Sequence, residues 1–259
     1  MCFDADSRPP IPPIAGGALD GRVVTLSSED GVAFTAFHAR PTVPGTAAIL
    51  ILPDVRGLHP YYEELALRYA EHGIEAVAID YYARTAGLGP RDGAFDYAPH
   101  VPLTTWETLA ADMRTAVAVL RAPRDDGAPP VPSRIFATGF CMGGRLTFLA
   151  GTLGLDLAGL IGFYGWPVGP NRNGSPAPAD LAMAIESPIL AIYGGADQGI
   201  SAEARSTFDA ALDAAGVEHR TIVYRDAPHS FFDRKAVDYA AASEAAWAET
   251  LGFIEAYGA

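Results

Sequence analysis

Six consecutive residues, Gly139-Phe140-Cys141-Met142-Gly143-Gly144, carry the strongest chemical signal in the chain. An apolar run, 134–140, leads into them, and another, 142–150, leaves them. The order reads strand, tight turn, helix, in the pattern Gly-x-nucleophile-x-Gly with cysteine as the nucleophile. So tight a turn forces its tip into a strained backbone conformation. Side chains two residues to either side would collide, so both positions are glycine. The tip then projects above the carboxyl ends of the strands, where the N-terminus of the next helix favours a thiolate and an oxyanion. The alternative is a small thiol filling a packed junction.

A thiol nucleophile needs a base, and the base needs a group to orient it. A short apolar strand, 189–193, runs into Gly194-Gly195-Ala196-Asp197. Another, 220–224, runs into Arg225-Asp226-Ala227-Pro228-His229-Ser230-Phe231. Alone, Asp197 reads equally as a turn residue or helix N-cap, and His229 as a solvated loop histidine. Together with Cys141 they give the order nucleophile, acid, base on the elements where an α/β-hydrolase carries them.

The elements that must position these groups alternate. Residues 22–26 and 32–39 are short and β-branched around Ser27-Ser28-Glu29-Asp30-Gly31, a hairpin signal. Residues 47–52 (AAILIL) form a continuous apolar run, as a strand buried on both faces should. A helix is predicted over 61–72, ending at Gly73, and a strand over 75–79. The stretch 80–103 is long, irregular and rich in Gly, Pro and Tyr. Helices follow over 104–122, 142–150, 202–215 and 237–257, with strands at 134–140, 157–164, 189–193 and 220–224 and a Pro/Gly-rich excursion over 165–185. Strands alternating with helices predict an α/β fold with a mainly parallel sheet flanked by helices and preceded by an N-terminal β-hairpin. Residues 1–20 read as an arm, and 21–259 as a single domain.

Composition narrows the function. The 259 residues are 49% hydrophobic and only 19% charged, enough for a sizeable core. The balance of 18 Lys+Arg against 31 Asp+Glu gives −13, which argues against a nucleic-acid partner. No apolar run reaches the roughly 18 residues of a membrane span, and the polar, proline-rich start lacks the layout of a signal peptide. A cytoplasmic protein is expected. The two cysteines, Cys2 and Cys141, make no disulfide framework. No Cys/His/Asp group has the spacing of a metal site.

The chain resembles the dienelactone hydrolase family of α/β-hydrolases. The resemblance rests on Gly-Phe-Cys141-Met-Gly-Gly, Gly-Gly-Ala-Asp197, Pro-His229-Ser-Phe and Asp80-Tyr-Tyr-Ala-Arg84, and it runs from about Arg22 to the end. Cysteine at the elbow is its specific mark. The resemblance implies cleavage of enol-lactones such as 4-carboxymethylene-but-2-en-4-olide in aromatic degradation, with no cofactor or metal. It implies that Asp54, where the family has Glu, holds the resting thiol and releases it as thiolate; the alternative is that Asp54 only pairs with Arg56. It makes Arg84 a grip for a substrate carboxylate, and the backbone N–H groups of Val55 and Met142 the oxyanion hole. A second family arginine is replaced by Asp233, with Arg234 beside it. His59 is placed near the site mouth. The partner is a small lactone or ester, and the chain reads as a monomer, with a dimer as its alternative. Two rivals stand beside the lactonase: a broader carboxylesterase or thioesterase, and a non-catalytic binding protein on the same scaffold.

Overall fold

The structure is a computed structural model and describes residues 7–123, 131–233 and 235–258. Cys2 and Arg234 lie outside the described residues.

Eight strands form one sheet. They are β1 (Ala18–Ser27), β2 (Ala33–Pro41), β3 (Ala47–Leu52), β4 (Glu75–Ile79), β5 (Arg134–Phe140), β6 (Gly159–Phe163), β7 (Ile189–Gly194) and β8 (His219–Tyr224), in the spatial order β1-β2-β4-β3-β5-β6-β7-β8. The hairpin β1/β2 is antiparallel and joins β4 antiparallel; every later pairing is parallel. The helices are α1 (Pro60–Glu71), α2 (Ala83–Ala86), α3 (Trp106–Arg121), α4 (Met142–Ala150), α5 (Ala202–Ala215) and α6 (Ala240–Tyr257).

The parallel strands are apolar without alternation because both faces are covered: every residue of β3, β4, β6 and β7 is buried. Helix α1 opens on Pro60, which needs no hydrogen-bonded N–H there, and turns Tyr61, Tyr62, Leu65, Ala66, Tyr69 and Ala70 inward. It stops where sequence predicts. Gly73 takes φ +80, and the N–H groups of Gly73 and Ile74 close back on Ala70 and Tyr69.

The sheet order locates the crevice. From β3 the chain steps outward to β4, then returns to place β5 on the other side of β3. Connections therefore diverge between β3 and β5, and a parallel sheet opens a crevice at such a point, outside the carboxyl ends of its strands. The register pairs Leu52 with Gly139 and Phe140 with Phe163. The residues after these strands, Pro53-Asp54-Val55, Cys141 and Tyr164, therefore stand side by side.

The arm differs from its expected extent. β1 already begins at Ala18. Before it, Ile11 is buried, Arg8 pairs with Glu64, and the Ile14 N–H donates to Glu71 Oε2 at 2.9 Å, so the described part of the arm lies along α1.

Candidate active site

Cys141 sits between β5 and α4 with φ 57° and ψ −112°, the strained conformation that the glycine pattern predicts. Close backbone approach explains the glycines. A Cβ on Gly139 would stand 2.2 Å from the Gly143 carbonyl oxygen, and one on Gly143 would stand 2.0 Å from that of Leu52. One on Gly144 would stand 2.5 Å from the oxygen of Phe163. The elbow is thus pressed into the ends of β3 and β6, and the Cys141 N–H donates to the Phe163 carbonyl at 3.0 Å. The ring of Phe140, just before it, stacks on those of Phe163 and Phe232, which meet each other at a tilt.

Asp197 and His229 meet directly. His229 Nδ1 lies 2.7 Å from Asp197 Oδ2, while Asp197 Oδ1 accepts the N–H groups of Gly199 at 2.8 Å and Ile200 at 3.3 Å. Burial alone would raise the Asp197 carboxyl, but the hydrogen bond and charge of His229, with the two amides, hold it below the usual carboxylate range. The paired glycines before Asp197 let its loop touch the histidine loop: Cβ atoms on Gly194 and Gly195 would each lie 2.3 Å from carbonyl oxygens, of Ala227 and Arg225. The imidazole is flanked by the rings of Tyr164 and Trp166, each with its centroid 4.8 Å away. Tyr164 directly follows the strand residue that accepts the Cys141 N–H, so the end of β6 links the cysteine to the imidazole. Tyr164 (φ 39°) and Ser230 (φ 64°) are strained as well, so backbone strain gathers around the imidazole.

The loop after β3 is held by phenols. Tyr81 donates to the Pro53 carbonyl at 2.7 Å, the Asp54 N–H donates to the Tyr62 hydroxyl at 3.0 Å, and Tyr82 donates to the Val55 carbonyl. Asp80 completes the frame by accepting the Leu58 N–H at 3.2 Å and the Arg91 guanidinium at 2.9 Å. The peptide planes on either side of Val55 N–H are fixed, and no hydrogen bond among the described residues occupies that N–H. Asp54 is fully buried, and its Oδ1 accepts the backbone N–H of Arg56 at 2.8 Å. Burial pushes the Tyr81 phenol well above its ordinary range, and its neighbours Tyr82, Asp54, Asp80 and Cys141 act in the same direction. The Tyr81 hydroxyl thus feels both Asp54 and Cys141.

Two residues are placed otherwise than the sequence suggests. Arg84 is saturated by the chain itself. Its guanidinium forms a two-bond fork with Asp112, at 2.6 and 2.9 Å, and another with Asp30, at 3.0 and 2.9 Å. The Asp80-Tyr-Tyr-Ala-Arg84 motif therefore frames the loop after β3 and clamps α3 to the hairpin turn. His59 is not at a site mouth: it is 1% exposed, and burial, with the charge of Arg56, pushes it down to about 4 against the opposing charge of Asp92. Asp233 is buried and accepts the Tyr164 hydroxyl at 3.0 Å. Sequence reading gave no role to Tyr62, Arg91 or the two tyrosines of the Asp80-Tyr-Tyr-Ala-Arg84 motif; only the polar termini of three tyrosines in apolar surroundings hinted at a bonding role.

The Arg84 clamp has a measurable consequence. Arg84→Ala leaves Asp112, 1% exposed, as a buried carboxylate without its partner. The expected loss is about 3 kcal/mol in urea unfolding. KM should change equally for anionic and neutral substrates. A KM increase confined to anionic substrates would restore Arg84 as a substrate grip.

A strained cysteine after β5, an aspartate after β7 and a histidine after β8, at the ends of a mainly parallel sheet, form the arrangement of an α/β-hydrolase. The sequence matches the dienelactone hydrolase family over residues 34–258, and the chain belongs to that family. It is 31% identical over 232 residues to a protein of Escherichia coli (strain K12) provisionally named a carboxymethylenebutenolidase, covering 86% of this chain and 82% of that one. It is 27% identical over 230 residues to the carboxymethylenebutenolidase of Pseudomonas putida, covering 86% and 90%. A crystal structure of a provisionally named dienelactone hydrolase from Klebsiella pneumoniae subsp. pneumoniae MGH 78578 superposes with a TM-score of 0.78 at 26% identity, over 91% of this chain and 98% of that one. No helix among the described residues is long and apolar enough to cross a membrane.

Proposed function

We propose that the chain hydrolyses enol-lactones or comparably activated esters through Cys141, His229 and Asp197. The observation that carries the reading is the strained Cys141 at the switch point of the sheet, with the Asp197-bound imidazole one strand end away. The names of the relatives point to the same reaction.

The steps follow from the chemistry of these groups. With its Nδ1–H held by Asp197, His229 presents Nε2 as a base and takes the thiol proton. The thiolate attacks the ester carbonyl carbon, and the oxyanion is received by the Val55 and Met142 amides. The C–O bond breaks, the enolate leaves, and the His229 proton quenches it, giving a thioester. His229 then deprotonates water, which attacks the thioester and expels the thiolate; the product acid departs. A thiolate is itself a good leaving group, so an alkoxide would be retained and the thiolate expelled. An enolate or phenolate reverses that preference, which selects lactones and activated esters over peptides and simple alkyl esters.

Asp54 completes the proposal as a guard. A carboxylate beside a thiol in a dry site opposes its ionisation, and substrate must draw that carboxylate away before attack. One experiment tests the whole reading: a panel of enol-lactones, p-nitrophenyl esters and alkyl esters, run beside iodoacetamide labelling of Cys141. Expected are fastest turnover of enol-lactones, one-to-one labelling blocked by the lactone, and faster resting labelling in Asp54→Ala. Faster p-nitrophenyl turnover selects a broader esterase, and no turnover of any ester selects a binding protein. Unchanged labelling in Asp54→Ala removes the guard.

A further inference from the structure

Arg145, the fourth residue of α4, is a fully buried arginine. All its side-chain hydrogen bonds go to neutral oxygens. Nε donates to Ser175 Oγ at 3.2 Å, Nη1 to the carbonyls of Trp166 at 3.1 Å and Val168 at 3.4 Å, and Nη2 to those of Gly169 at 2.8 Å and Ser175 at 2.9 Å. No ion pair among the described residues accompanies these bonds. Burial pushes the guanidinium down to about 10, opposed only by the charge of Asp180. A buried cation without a carboxylate is costly. Its fork geometry, however, gathers five acceptors from one loop in a way that no other side chain can.

That loop leads to the imidazole. Trp166, whose carbonyl Arg145 holds, lays its indole against His229, and its Nε1–H donates to the Gly199 carbonyl at 3.1 Å. Gly199 in turn donates its N–H to Asp197. On the other side, the Arg145 backbone N–H closes on the Cys141 carbonyl at 3.2 Å. A single residue therefore joins the first turn of the nucleophile helix to the wall behind the base.

We propose that Arg145 is a positioning residue: its guanidinium seats the 165–175 loop on α4, and through Trp166 it fixes the orientation of the His229 imidazole. The inference rests on the functional reading above for its kinetic consequence, but not for its structural one.

The test is a double-mutant cycle of Arg145→Lys and Trp166→Phe. Lysine keeps the charge but cannot fork, so it satisfies only part of the acceptor set. The first readout is kcat and KM on the best ester. The second needs no turnover: a protonated imidazole quenches an indole in contact with it, so fluorescence followed against pH reports the Trp166–His229 contact, with Trp166→Phe subtracted to remove the other tryptophans. Arg145→Lys is expected to lower kcat by about ten- to a hundredfold, to leave KM little changed, and to reduce the quenching amplitude. In the Trp166→Phe background the same change should cost less than about twofold, since coupled residues are not additive. Equal losses in both backgrounds, or unchanged quenching, overturn the proposal. If Arg145→Lys does not fold, Ser175→Ala removes the Nε partner, and with it the long 3.4 Å bond from Asn171 Nδ2, and leaves the four carbonyl acceptors in place; it should move both readouts the same way by less, and no movement overturns the proposal equally. If the protein turns over no ester, the functional reading fails, and the quenching still decides the role of Arg145.

Discussion

Cys141→Ala should lower kcat by about 10⁴-fold or more, the scale on which removal of a nucleophile from a triad is felt. Stability should barely move. Alanine must adopt the same φ of 57° that cysteine already bears, so the backbone strain is common to both proteins. Only the Sγ atom of a side chain that is 8% exposed is removed. Cys141→Ser should recover a trace of activity, because a hydroxyl needs a stronger base than a thiol. The checks are steady-state kinetics on preparations freed of contaminating esterases and urea unfolding of each variant. Undiminished hydrolysis by the alanine protein removes Cys141 from the mechanism.

Asp197→Asn should cost about as much, on the order of 10⁴-fold in kcat, and the hydrogen bonds say why. Oδ1 already accepts two backbone N–H groups, from Gly199 and Ile200. In the asparagine variant the amide oxygen must take that place, which turns the amide NH2 toward His229 Nδ1. The imidazole then has to carry its proton on Nε2, and the base has nothing with which to take the thiol proton. The same substitution changes stability against pH. The Asp197 carboxyl is depressed below its ordinary 3.8. Its contribution is therefore present in full above that value and lost as pH falls through the lower folded value. The native protein's advantage over the variant in unfolding experiments should hold at neutral pH and fade only below about pH 4. An advantage that fades near pH 6 instead would place the linked proton on another group.

Much of this was legible in the sequence because the relevant constraints are local. The elbow declares itself through glycines that must lie within a few residues of the nucleophile, since backbone contact leaves no alternative. Asp197 and His229 are recognisable because each follows a strand that is itself recognisable. The alternation of elements fixes the fold class, with strand and helix ends displaced by a few residues where ladders extend beyond the apolar run, as β1 does. What was not legible depends on partners far along the chain. Arg84 reads as a free cation until Asp30 and Asp112 are found 54 and 28 positions away. His59, flanked by Gly, Leu and Pro, reads as a loop residue at a rim, and nothing nearby in sequence reveals that it is covered. The phenols of Tyr81 and Tyr82 meet carbonyls 28 and 27 positions earlier, and no spacing rule encodes such a pairing.

The phenolic frame around residues 53–55 has a consequence for how such a site can diverge. The backbone around Val55 is held by hydroxyl groups from α1 and from the segment after β4, with the Asp54 carboxylate adding one bond to the Arg56 N–H. Side-chain changes at 55 and 56 can therefore alter the charge, size and reach of what faces an incoming molecule, while the backbone dipole proposed to meet its reaction stays where it was. A lineage carrying this frame can explore new substrates by drift in these two codons without first losing the proposed chemistry. The tyrosines are where that freedom ends: removing one hydroxyl would disturb every variant of the loop alike.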